Sequence, residues 1–304
     1  MSKKHVLCGY GIDVDAVSNW LNTQDGKLVD VTNVSRGVFG ATVGTDRLLK
    51  MLDKYNIKAS WYIPAHTLES FPKNMAKIRD AGHEIGLHGY THEYMSLLTP
   101  RQERDVLQKS IDVLTAFTGK KPKGFTAPAW TPSRETISLL EEAGIEYDHS
   151  MMHHDAQMYY APYAPESIAE TNYKAAEASD WMKPMSILRP SSIVEVPASW
   201  HLDDWPAFQP KPALGSAGFI DPHHVERFWK EHFSYCYDNF DTFVFPISIH
   251  PQVSGKPQIL MMHQRLIEWI NGHEGVEWCT FGDMANRFRQ GDFPGVTVEG
   301  GAEG

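Results

Sequence analysis

Eight short, mostly apolar runs separated by longer segments of helical periodicity restrict the fold more than any other feature of the sequence. The runs are HVLCGYGI (5–12), IKASWYI (57–63), HEIGLH (83–88), PKGFTA (122–127), IEYDHS (145–150), SIVEVPAS (192–199), FVFPISIH (243–250) and VEWCTF (276–281). Several are apolar along their whole length, as strands covered on both faces must be. Between them, GTDRLLKMLDKYN, FPKNMAKIRDAG, TPRQERDVLQKSIDVLTAFTG, SRETISLLEEAG and PQILMMHQRLIEWINGHEG carry amphipathic spacing, with Ser or Thr near two of the starts and glycine at most of the ends. Repeated strand and helix units imply an α/β fold with a parallel sheet, either closed into a barrel or doubly wound. Folds of this kind commonly use about 250–300 residues as one domain, so residues 1–304 are expected to form a single catalytic domain. The stretch 150–190, rich in Met, Tyr, His and Pro, reads as a long active-site loop, and 292–304 as a flexible glycine-rich tail.

Charge removes some functions. With 28 basic against 38 acidic residues, a net charge of −10, the chain offers no electrostatic footprint for nucleic acid or an anionic membrane. The apolar run after the lysines in MSKKHVLCGYGIDVD is too short, and too soon broken by aspartate, for a signal peptide or a membrane span, which sets the expectation of a cytoplasmic protein. Cys8, Cys236 and Cys279 have no metal or redox spacing and read as small buried hydrophobes.

In parallel sheets, ligands bind outside the carboxyl ends of the strands. The first run ends in Asp13 and Asp15, the third in His88 with His92 four residues on, and the fourth in TAPAW, which holds Ala129 and Trp130. The sixth leads through Glu195 and Trp200 to Asp203 and Asp204, and the seventh ends in His250 followed by Pro251. Each has an ordinary reading. Asp at a strand end often caps a turn, histidines four apart are more often surface or core residues than ligands, His250 could be a buried hydrogen-bonding residue, and the tryptophans are most simply packing. The joint arrangement is harder to explain that way, because one Asp and two His are enough to hold a divalent ion with a position left open for water.

Asp-x-Asp after the first strand, H-x-x-x-H after the third and the late S-I-H-P resemble the polysaccharide deacetylase (NodB homology) superfamily of metal hydrolases. SRGVFGATVGTDRLL, DAGHEIGLHGYTHE, YDHSMMHHD, DWMKP, VEVPASWHLDD and SIHPQVSGKPQ resemble a branch containing a Helicobacter peptidoglycan deacetylase-like protein, cyclic imide hydrolases and cofactor-free allantoinases. The resemblance implies a distorted (β/α) TIM-like barrel of seven or eight strands, a homotetramer, and one divalent ion, with Zn2+ the leading choice, held by Asp15, His88 and His92. It makes Asp13 the general base, His250 the general acid and the backbone N–H near Ala129 an oxyanion hole. Sugar deacetylases of the superfamily carry an arginine in the motif that here reads TAPAW. Thr126 stands in its place, and Arg36 is the candidate to supply the missing charge.

The expected function is a metal-dependent hydrolase of non-peptide C–N bonds that opens a small cyclic imide or amide. Trp130, Glu195, Trp200 and Asp203 are candidate substrate contacts, and the loop around His153, His154, Tyr159 and Tyr160 is expected to help wall a compact pocket. The alternatives are deacetylation of N-acetylated sugars in peptidoglycan or a chitin-like polymer, and a catalytically silent metal or carbohydrate binding module.

Overall fold

The computed structural model describes residues 3–22, 29–209 and 218–302. Nine strands form one curled sheet: β1 (His5–Asp13), β2 (Ser60–Ile63), β3 (Glu84–Leu87), β4 (Gly124–Phe125), β5 (Tyr147–Asp148), β6 (Tyr159–Pro162), β7 (Pro190–Glu195), β8 (Thr242–Ile249) and β9 (Val276–Trp278). Eight run in the order β6-β7-β5-β4-β3-β2-β1-β8, parallel throughout except that β6 is antiparallel to β7. β8 pairs with β1 from His5 to Ile12, while β2 and β9 divide its other edge, β9 taking Val6–Cys8 and β2 taking Gly11–Asp13. The two ends of the sheet approach each other where Val244 N–H donates to Ala156 O at 3.0 Å and Asp203 bridges Ser248. This is the distorted (β/α) barrel that the family resemblance implied, and it decides between the closed and doubly wound sheets left open by the strand pattern.

β1 is buried on both faces from Val6 to Asp13, which is why its run is continuous rather than alternating. Numbering only helices of seven residues or more, the layer around the sheet consists of α1 (Val31–Phe39), α2 (Thr45–Lys54), α3 (Pro72–Asp80), α4 (Pro100–Thr118), α5 (Thr136–Glu142), α6 (Pro222–Asn239), α7 (Pro257–Ile270) and α8 (Phe281–Gln290). α4 starts at a Thr99/Gln102 capping box and stops at left-handed Gly119; α8 starts at a Thr280/Asp283 box and stops at Gly291. Gly11 lets α8 approach β1, since a Cβ there would lie 2.7 Å from the Phe281 ring. Cys8, Cys236 and Cys279 are free and buried, as their apolar neighbours suggested.

Three expectations change. The 150–190 stretch contains β6, whose YYAP sequence carries Pro162 and a register shift, both tolerated because it is the edge strand. The expected strands at 122–127 and 145–150 shrink to two residues each, because the chain leaves the sheet early to build the turns described below. The tail from 292 is tied down as far as it is described: Phe293 is buried, Val296 N–H donates to Met158 O, and Ala302 N–H donates to Met185 O. No helix among the described residues is long and apolar enough to cross a membrane.

Candidate metal centre and active site

Parallel strands deliver their carboxyl ends to one rim, and there Asp15, His88 and His92 converge, all buried, with candidate ligand atoms within 4.8 Å of one another. His88 Nε2 lies 3.3 Å and His92 Nε2 3.6 Å from Asp15 Oδ1. His88 donates Nδ1–H to the Thr126 carbonyl at 2.7 Å, which leaves the Nε2 lone pair facing Asp15. Asp15 Oδ1 and His88 Nε2 are buried and have no hydrogen-bond partner. Two facing acceptors left bare in a buried site are costly unless a cation lies between them, so this donor set fits a divalent ion. Gln252 Nε2 donates to Asp15 Oδ2 at 3.2 Å and fixes the other carboxylate oxygen. Burial alone would raise Asp15, but His92, His88 and His250 outweigh it and hold the carboxyl below its ordinary range. Burial likewise depresses His92, to about 4, favouring the neutral imidazole that a metal requires. His92 sits at φ 60°, a backbone cost that turns its ring toward the cluster.

Asp13 and His250 flank this group. Asp13 Oδ2 is 3.8 Å from His88 Nε2 and 3.8 Å from His250 Nε2. Burial raises the Asp13 carboxyl despite the opposing pull of the two histidines, which makes it a better proton acceptor than an ordinary aspartate. His250 directly follows β8, and its Nδ1 lies 2.7 Å from Asp204 Oδ1 while its backbone N–H donates to Asp204 Oδ2 at 2.9 Å. Burial would depress this imidazole; Asp204 reverses the effect and holds it well above its ordinary value. With Nδ1 taken by Asp204, Nε2 is the nitrogen that His250 turns toward Asp13.

The pocket over these groups, about 400 Å³ counting the space open to solvent at its mouth, is lined by Asp13, Asp15, Asn19, His92, Tyr94, Ala129, Trp130, Trp200, Asp203, Trp205 and His250. Ala129 and Trp130 both take left-handed backbone, φ 51° and 48°, in the turn that follows Pro128. That turn is anchored by Ala127 N–H donating to Ser150 Oγ, which in turn donates to Asp148. Trp130 and Trp200 meet edge to face, ring centres 4.5 Å apart.

Residues 36–147 match the family model described as polysaccharide deacetylase. The peptidoglycan deacetylase of Helicobacter pylori is 44% identical over 286 residues, covering 94% of this chain and 97% of that protein. The chain belongs to the polysaccharide deacetylase family. Peptidoglycan deacetylase-like protein FGM2 of Gibberella zeae is 36% identical, over 94% of this chain and 87% of that protein. A solved structure of a candidate polysaccharide deacetylase from Mycobacterium smegmatis aligns with TM-score 0.80 at 26% identity, over 97% of this chain and 94% of that one. PuuE allantoinase shares the fold at TM-score 0.74 and 20% identity, over 94% and 91% of the two chains. Deacetylases of the family are metal-dependent hydrolases of C–N bonds, in keeping with the Asp/His cluster of this member.

Most of the candidates read from the sequence meet in this deacetylase fold, and two do not. Arg36 makes no ion pair with Asp13; its guanidinium donates to Asn33 and Gln209 and lies over the Trp20 ring. Glu195 lies beneath the site rather than in the cavity. It accepts the Ser150 and Met151 N–H groups at 2.8 Å and pairs with Asp148. The His153–Tyr160 loop also turns away: Tyr159 is buried with its hydroxyl accepting from His153 N–H, and Tyr160 packs on Phe288. Of the residues the sequence did not single out, Asn19 and Tyr94 lie in no quoted motif, while Gln252 and Ser150 sit inside SIHPQVSGKPQ and YDHSMMHHD with nothing local to mark their role. Asp204 stood at a strand end, but its bond to His250 needed the fold to become visible.

Proposed function

We propose that this family member is a metal-dependent N-deacetylase of N-acetylated sugars, of the kind found in peptidoglycan or chitin-like polymers. The observation that carries the reading is the buried Asp15, His88 and His92 group with Asp13 and the Asp204-held His250 beside it, two groups whose surroundings suit them to opposite proton transfers. Asp15, His88 and His92 would hold one divalent ion, with Zn2+ favoured by the imidazole and carboxylate donors, and when bound it supplies Lewis acidity to the amide carbonyl and to water. Asp13 takes the proton from the attacking water. The backbone N–H near Ala129 steadies the developing oxyanion. His250 delivers a proton from Nε2 to the leaving nitrogen, so that the C–N bond breaks to give acetate and the free amine. Trp130 and Trp200 wall the sugar side of the cavity.

Hydrolysis of a small cyclic imide is a second reading. Two observations favour it: no arginine among the described residues pairs with Asp13, and the cavity is compact and aromatic. The test is to incubate metal-loaded protein in parallel with N-acetylglucosamine oligomers, peptidoglycan fragments, succinimide, phthalimide and allantoin, following acetate release and ring opening. Acetate release from the glycans alone supports deacetylation. Ring opening alone replaces it with the second reading, and metal binding with no turnover would make the chain a silent binding module.

A further inference from the structure

Behind Asp204 runs a line of buried polar groups that the proposed reaction does not use. Ser254 Oγ donates to Asp204 Oδ2 at 2.6 Å and lies 2.8 Å from His263 Nε2; His263 Nδ1 in turn lies 3.2 Å from the Tyr10 hydroxyl. Tyr10, Asp204, Ser254 and His263 are each 0% exposed. The direction of every bond follows from counting protons. Ser254 has one hydroxyl hydrogen, and the Asp204 carboxylate takes it, so Ser254 can only accept from His263. His263 must then carry its proton on Nε2, and its bare Nδ1 accepts from Tyr10. Burial supports the single-proton form, pulling His263 down to about 4. The Tyr10 ring and the Trp229 ring contact the imidazole edge to face and tilted, respectively, and hold its plane.

We propose that Ser254 and His263 are positioning residues: a one-way chain, Tyr10 to His263 to Ser254 to Asp204, locks the Asp204 carboxylate so that His250 presents Nε2–H to the cavity. Asp204 Oδ1 is occupied by His250 Nδ1, and Oδ2 by the His250 backbone and by Ser254. With both oxygens committed, the carboxylate has one orientation. The chain links β1, α7 and the short helix Pro251–Ser254, so the aim of His250 is set by the barrel and not only by the short helix Asp204–Phe208 that carries Asp204.

The inference rests on the reading of His250 as proton donor, and the experiment separates the two. Purified, metal-loaded Ser254→Ala, His263→Phe, His263→Gln and His250→Ala are compared for kcat, KM, metal content and thermal midpoint on whichever substrate the native protein turns over. The expected result is a loss of about ten-fold in kcat for Ser254→Ala and His263→Phe with KM and metal content unchanged. His263→Gln recovers most of it, because its amide nitrogen can donate to Ser254. In 15N-histidine spectra of the native protein, His263 is expected to be protonated at Nε2 alone. Native kcat in both Ser254→Ala and His263→Phe, or a proton on His263 Nδ1, overturns the relay. Full turnover by His250→Ala would instead remove the proton-donor reading itself.

Discussion

His250 and Asp204 share a 2.7 Å bond between Nδ1 and Oδ1, and the backbone N–H of His250 donates to the other oxygen of the same carboxylate. Two attachments to one rigid group leave the ring no free rotation. Charge is the other half of the pairing, because Asp204 is what lifts His250 above its ordinary pKa against the pull of burial. Asp204→Asn keeps the shape and removes the charge. We expect kcat to fall by about 10²-fold, within the range for loss of general acid catalysis. Metal content and the fold should be unchanged, and elemental analysis with steady-state kinetics on the same preparation checks both.

The metal cluster predicts its own signature. Native protein should carry about one divalent ion per chain, and Asp15→Ala and His88→Ala should each lose it. Chelation should abolish turnover and lower the thermal midpoint by about 4–7 °C, because about 3–4 kcal/mol of ligand stabilisation is withdrawn and each kcal/mol is worth roughly 1.5–2 °C in a chain of this size. Adding the ion back should restore both. Metal retained by both variants would place the ion elsewhere.

How much of this was legible in the sequence differs by element. The strands are legible because burial on both faces demands unbroken apolar runs, and β1 from Val6 to Ile12 carries no charged residue. The cluster is legible because its members close strands or follow them directly. β6 is not, since a proline at an edge strand erases the usual signal and only its pairing with β7 defines it. Nor is the docked tail, where backbone bonds to Met158 and Met185 do work that glycine-rich composition cannot advertise. Glu195 and Arg36 fail for different reasons. A charged residue near a strand end, as Glu195 is, can face the cavity or the interior, and only the register and the neighbours decide which; Arg36 lies on α1, and its helix position does not tell which distant group its guanidinium reaches.

Arg36 gives the next expectation. Its guanidinium is committed to Asn33, Gln209 and the face of Trp20, and makes no ion pair with Asp13. Arg36→Ala should therefore leave kcat and metal affinity at native values. Stability should fall by roughly 1 kcal/mol, as lost hydrogen bonds and cation–π contact at a partly exposed site imply. A drop of ten-fold or more in kcat at full metal occupancy would restore Arg36 to the site.

Glu195 and Asp148 make the sharpest pH prediction. Both are fully buried, and neither Asp148 Oδ2 nor Glu195 Oε2 meets an N–H or O–H donor from another group. Burial, and then each other's proximity, raises Glu195 well above its ordinary value, while burial pushes Asp148 up to about 6. The pair thus keeps a proton at a pH where the unfolded chain, with carboxyl groups titrating at about 4, has already released it. With more protons bound in the folded state, stability is complete below about pH 4 and falls as pH rises through the pair's own titration, by about 1.4 kcal/mol per pH unit for each proton. Glu195→Gln replaces that proton with an amide N–H that cannot be lost, while its carbonyl can still accept from Ser150 and Met151. The variant should match the native protein at pH 4 and exceed it at pH 8 in urea unfolding. Equal slopes for the two proteins between those limits would mean that the pair shares no proton. Because Ser150 links Asp148 to the Ala127 N–H, Glu195→Ala should act differently, costing about 1–3 kcal/mol for two buried N–H groups left unpaired and loosening the turn that carries Ala129.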